Sequence, residues 1–122
     1  MGVTLGNIVF DCADIETTSA FYAALTGWPV VYKRDNWIDL KAAEGIAVSF
    51  QLAPDHLPPQ WPSAAHPQQA HLDLELPADE MDAVQARAIE LGATLLDNSA
   101  EHPTFRVFAD AAGHPFCLCV LG

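Results

Sequence analysis

Between residues 5 and 12 apolar and polar side chains alternate, with Ile8, Phe10 and Cys12 on one face and Asn7, Val9 and Asp11 on the other. That period of two predicts a strand with one face against a core. The period then lengthens. Ala20, Phe21, Ala24 and Leu25 recur at helical spacing, Asp14 is placed to cap the helix, and Gly27 supplies a left-handed stop. Glu16 lies near the positive end of that helix dipole. Three short strands follow, over 30–33, 37–41 and 46–52, so the first module, residues 5–52, reads βαβββ.

The same order recurs. Leu72, Leu74 and Leu76 alternate with His71, Asp73 and Glu75, and Asp79 is placed to cap a second helix, with Asp82 three residues on. Met81, Val84, Ala88 and Leu91 form the stripe of that helix and Gly92 ends it; strands are expected over 94–98, 105–109 and 115–121. The offset between copies is about 64 to 66 residues, a period that argues for duplication of a supersecondary unit. Between module one and module two (69–121), residues 53–68 carry Pro54, Pro58, Pro59, Pro62 and Pro67 with Trp61, and read as a linker. It is long for a plain connection and is expected to lie across a site.

A sheet with one helix can hide only one face against it. The opposite faces are then free to curve around a cavity where the copies converge. Alternation assigns to them Asn7, Val9 and Asp11; Ala47, Ser49 and Gln51; His71, Asp73 and Glu75; and Cys117, Cys119 and Leu121. A carboxylate beside His71 would orient it as a general base. Alternatively, Asp73 and Glu75 would seat an amine or guanidinium, or reach solvent at the sheet edge. Tyr32, Trp37 and Trp61 are placed to stack a ligand or to line a subunit interface. Trp28 is expected to pack in the core, Cys12 to face the helix, His56 and His102 to be solvated in loops, and His114 to serve a turn.

Charge and length narrow the function. At 122 residues the chain makes one domain, and its formal charge of −11 disfavours nucleic acid and anionic membranes while favouring a cationic ligand. No apolar run is long enough to span a bilayer, and the start lacks the order of a signal peptide. Three cysteines without an export signal read as reduced thiols in a cytoplasm. There is no glycine-rich phosphate loop and no serine nucleophile motif.

The residues from Asp14 through Phe21-Tyr22 to Leu25-Thr26-Gly27-Trp28, His71-Leu72-Asp73-Leu74, Leu91-Gly92-Ala93 and Asp110 to Leu118 together resemble the vicinal oxygen chelate superfamily, the glyoxalase, bleomycin-resistance and extradiol-dioxygenase group. The resemblance implies an α+β fold of two tandem βαβββ modules, their curved mixed sheets around a cavity, commonly as a homodimer. It also implies four metal slots, two per module, at Asn7, Gln51, His71 and Cys117. Of these, only His71 is a conventional match. Asn7 and Gln51 bring dipoles without charge, and a hard divalent ion wants imidazoles and carboxylates. His71 with Cys117 and Cys119 would suit a softer ion such as zinc.

The leading expectation is therefore a small-molecule-binding protein without the full metal site. Its pocket is expected to comprise Asn7, Val9, Ser49, Gln51, His71, Asp73, Glu75, Cys117, Cys119, Trp37 and Trp61. Its ligand is a small organic molecule, and the acidic balance favours a cationic one. The alternative is a lyase, isomerase or dioxygenase that holds a divalent metal (zinc, iron, manganese or nickel), with His71 as the candidate catalytic residue. An accessory domain acting through a protein partner is a third reading.

Overall fold

The computed structural model describes residues 2–121 and divides into two compact units, Met1–His56 and Leu57–Gly122. In the first, β1 (Asn7–Cys12), α1 (Ile15–Thr26), β2 (Val30–Arg34), β3 (Trp37–Ala43) and β4 (Ile46–Leu52) follow one another. They build a four-stranded sheet in the order β1-β4-β3-β2. The second repeats this with β5 (Leu72–Leu76), α2 (Met81–Glu90), β6 (Thr94–Asp97), β7 (Phe105–Ala109) and β8 (Pro115–Val120), in the order β5-β8-β7-β6. In each sheet the first and last strands pair in parallel and the others antiparallel. This is the tandem βαβββ architecture. No helix among the described residues is long and apolar enough to cross a membrane.

Local chemistry accounts for the elements. Asp14 accepts hydrogen bonds from the Thr17 backbone N–H (3.1 Å) and hydroxyl (2.7 Å), which fixes the start of α1. Gly27 ends it at φ +80°, where its N–H reaches the Ala23 carbonyl. The buried stripe of α1 differs from the expected one: Ile15, Thr18, Ser19, Phe21 and Tyr22 are inside, whereas Ala20 and Ala24 are exposed. Thr18 and Ser19 can turn inward because each hydroxyl donates to a carbonyl one turn back.

Asp79 does not cap α2. Pro77 is extended, residues 78–80 form a 3-10 turn, and Glu80 occupies the cap position without a side-chain hydrogen bond. The turn brings the Glu80 N–H to the Pro77 carbonyl, so the backbone itself supplies an acceptor that a cap would otherwise provide.

The helix-facing sides of the sheets hold the core. In the first unit Phe10, Ile38, Leu40, Val48 and Phe50 are buried with Tyr22, whose ring stacks on Phe50 at 5.7 Å. In the second, Leu76, Phe108, Phe116 and Leu118 are buried with Met81 and Ala88 of α2. Each large apolar side chain so buried contributes about 1.5–3 kcal/mol. Most of the proline-rich segment belongs to the second unit, where Pro58 lies against the β7–β8 turn. A Cβ at Gly113, which has φ +87°, would fall 2.6 Å from that of Pro58. The Gln60 N–H bonds the His66 carbonyl (2.7 Å) and closes residues 60–66 into a loop.

Candidate functional site

The open side of the second sheet follows from its register. Asp73 pairs with Cys117 and Cys117 with Val107; Glu75 pairs with Cys119 and Cys119 with Phe105. Paired residues share a face, so these six side chains stand together on the side away from Phe116 and Leu118. His71, two residues before Asp73, joins them: its Nε2 lies 3.1 Å from Asp73 Oδ1. One donor atom each of His71, Asp73 and Cys117 lie within 4.8 Å of one another.

Over this face is a cavity of about 300 Å³. Trp61 and Phe105 bring aromatic rings to it, Val107 and Pro115 aliphatic surface, and His71, Asp73, Cys117 and Cys119 a polar end. Gln68 also lines it, with its Oε1 buried and without a hydrogen-bond partner among the described residues. Burial pushes the Cys117 thiol up to about 12, helped by the negative charge of Asp73, Cys119 and a hydrogen bond to Asp73. Cys119 is raised for the same leading reason. Both thiols are therefore protonated at neutral pH, acting as weak donors rather than nucleophiles.

Phe105 is held from behind by His102, whose ring stacks on it at 4.3 Å. His102 Nδ1 lies 3.0 Å from the Phe105 carbonyl oxygen. Its Nε2 is 3.0 Å from Asp97 Oδ1, close enough for an ion pair although not aligned as a hydrogen bond. The Phe105 carbonyl, then Asp97, raise the affinity of this ring for a proton. His102 is thus no solvated loop residue: two acceptors flank the ring and draw it onto the chain.

In the first unit the open side carries rungs Asn7–Ala47–Lys41, Val9–Ser49–Asp39 and Asp11–Gln51–Trp37. Asn7 and Gln51 thus sit on different rungs. The Asn7 amide donates to the Ser49 hydroxyl (2.8 Å), which donates to Asp39 Oδ1 (2.5 Å). Trp37 Nε1 donates to the same oxygen at 2.6 Å. Gln51 is exposed, and Val9 is 41% exposed. Tyr32 is also exposed, with Arg34 over its ring at 5.5 Å. Asp39 was absent from the residues singled out in sequence, although alternation with the buried Ile38 and Leu40 puts it on the Trp37 face. Gln68, Phe105, Val107 and Pro115 were missed for want of any polar or periodic signal that marks a cavity wall.

Two tandem βαβββ units, each with polar side chains on the open face of its sheet, define a protein of the vicinal oxygen chelate type. The chain belongs to the glyoxalase-like domain family, whose sequence pattern matches residues 7–119. A comparison with curated proteins finds no match. Among solved structures it is similar to a glyoxalase/bleomycin resistance protein/dioxygenase family enzyme from Burkholderia phytofirmans PsJN, at TM-score 0.79 and 18% identity over 98% of this chain and 100% of that one. It is also similar to the fosfomycin resistance protein FosX from Listeria monocytogenes complexed with Mn(II) and sulfate. That match has TM-score 0.75 and 17% identity, over 100% and 93% of the two chains. The oxidase ChaP-H2 matches at TM-score 0.70 and 18% identity, over 100% and 96%. At these identities the likeness is one of fold.

Proposed function

We propose that the chain is a small-molecule-binding protein of the glyoxalase and bleomycin-resistance type, which takes an organic ligand into the cavity of its second unit. The observation that carries this reading is the cavity itself, with aromatic and aliphatic walls around one polar group of His71, Asp73 and Cys117. A volume of about 300 Å³ is at the small end of ligand sites and suits a compact molecule. Trp61 and Phe105 would stack a planar part, while Asp73 would receive an ammonium or N–H donor. The His71 imidazole, held by Asp73, would orient the ligand's polar end. Saturating ligand at about 100 Kd should stabilise the fold by roughly 2.7 kcal/mol, visible in a thermal-shift screen. Absence of any response across a broad set of small molecules, amines included, would overturn the reading.

The cluster within 4.8 Å favours a second reading, in which a metal assists chemistry. The four slots expected from the family do not fit a hard ion such as Mn(II): Asn7 and Gln51 are neutral amides that bring no charge, and Cys117 offers sulfur where such ions want oxygen. One imidazole, one carboxylate and one thiol do fit zinc, so His71, Asp73 and Cys117 would hold it. Bound there, zinc would act as a Lewis acid on substrate oxygens. Elemental analysis after zinc reconstitution separates the readings: stoichiometric zinc lost in both His71→Ala and Cys117→Ala supports the metal, and zinc below one tenth of an equivalent (~0.1) excludes it.

A further inference from the structure

We infer that Asp39 is the anchor of a receptor for a protonated amine or guanidinium group on the open side of the first unit. The inference concerns residues other than those of the second-unit cavity and does not depend on ligand binding there. Three strands converge on this one carboxylate. Trp37 Nε1 from β3 itself and Ser49 Oγ from β4 donate to Oδ1, and Asn7 Nδ2 from β1 approaches the same atom at 3.5 Å. Ser49 is wholly buried, so its hydroxyl has no solvent alternative. The carboxylate is held in one rotation, while its second oxygen accepts no hydrogen bond among the described residues.

What that oxygen can receive follows from the neighbouring donors. The amide of Asn7, the Ser49 hydroxyl and the Trp37 indole are all turned inward to the network. Asp39 borders a cleft of about 350 Å³ whose other charged side chains are Lys41 and Glu44. Those two pair with each other at 2.8 Å, so the carboxylate of Asp39 leaves the cleft net negative. Val31, 56% exposed, lines it as aliphatic surface. A preorganised, charged acceptor beside apolar surface with its donors already committed selects a cation on an apolar body rather than an anion. The overall charge of −11 raises the local concentration of such cations.

One rung of each sheet sets an acid against the small polar side chain of the last strand. In one, Ser49 stands between Val9 and Asp39; in the other, Cys117 stands between Asp73 and Val107. The acid stands on β3 in the first unit and on β5 in the second, and each is in contact with that side chain.

The test uses the full chain labelled with 15N and the indole N–H signal of Trp37, assigned by its loss in Trp37→Phe. Phenethylammonium chloride and its neutral analogue phenylethanol are titrated at equal concentration. The amine should shift the Trp37 signal saturably and the alcohol should not. Asp39→Asn retains an oxygen acceptor for Trp37 and Ser49 but removes the charge, and should weaken the amine by about tenfold or more. Asp73→Asn should leave the Trp37 response unchanged, while the Trp61 indole reports binding in the second unit separately. Equal shifts by alcohol and amine, no Trp37 shift with either, or undiminished affinity in Asp39→Asn would each overturn the inference. Should Asp39→Asn fail to fold, the comparison of amine with alcohol on the natural protein still decides.

Discussion

Cys117 gives the sharpest quantitative expectation, because its chemistry depends on the same Asp73 and apolar walls that form the second-unit cavity. Burial and the Asp73 charge move its thiol from an ordinary value of 9.0 to about 12. At pH 7.5 the thiolate fraction then falls about a thousandfold, since each step of one in pKa is a factor of ten below the titration. Thiolates of higher pKa are better nucleophiles, with a Brønsted coefficient of about 0.4–0.5, which returns a factor of about 15–30. The net expectation is alkylation by iodoacetamide roughly 30 to 60 times slower than an unperturbed thiol, before any steric slowing. Peptide mass spectrometry of timed quenches at pH 7.5, with glutathione as the internal standard, measures it. Asp73→Asn removes one of the causes and should speed the reaction at Cys117. Alkylation of Cys117 at the glutathione rate would refute the picture of a buried thiol beside a carboxylate.

Other consequences lie at the margins of the second-unit site. Gly113→Ala would force an L residue into φ +87° with its Cβ 2.6 Å from that of Pro58. The conformational cost alone is about 1–2 kcal/mol, and the displaced proline segment should change the environment of Trp61, read as a lower Tm with altered tryptophan fluorescence; an unchanged melt would show that the segment does not pack on this turn. The His102 pKa is raised above 6.5 by the Phe105 carbonyl and Asp97. Its contribution to stability is therefore complete below pH 6.5 and fades as pH rises through the raised value. Urea melts across that window should show the loss in the natural protein and not in His102→Gln; identical profiles would remove His102 as the support of Phe105. Asp14 is lowered mainly by the Thr17 backbone N–H. Its cap is present above pH 3.8 and lost as pH falls through the depressed value, so Asp14→Asn should flatten that part of the acid melt, and an unaltered acid limb would contradict the assignment.

Much of this architecture is legible because the registers of β1 on β4 and of β5 on β8 run unbroken. Phe10 and Cys12, Val48 and Phe50, and Phe116 and Leu118 all face inward as their period requires, and that parity leaves Asn7, Asp73 and Cys117 on the open sides. The helices were harder to read. Alanine is apolar enough to enter a helical stripe, yet in α1 the buried places go to Thr18 and Ser19, whose hydroxyls satisfy themselves on the helix backbone. Asp79 looked like a cap, but Pro77 and a 3-10 turn move the start of α2 beyond its reach. Asp39 was recoverable from alternation and was missed because nothing nearby in sequence marks it. Its partners Asn7 and Ser49 come from other strands, and only the register brings them together. Trp61 and Gln68 depend on how the proline segment folds, which no period encodes.

The claim on which the account turns is that the second-unit cavity admits a small organic molecule. The most direct measurement is a fragment screen on 15N-labelled protein, read at the Trp61 indole and at the backbone of Phe105, Cys117 and Cys119, with Val107→Trp filling the 300 Å³ space as the control. The account predicts saturable shifts centred on those residues, strongest for compact planar amines, and their disappearance in the filled variant. Shifts that persist in Val107→Trp, or none from any fragment, would contradict it.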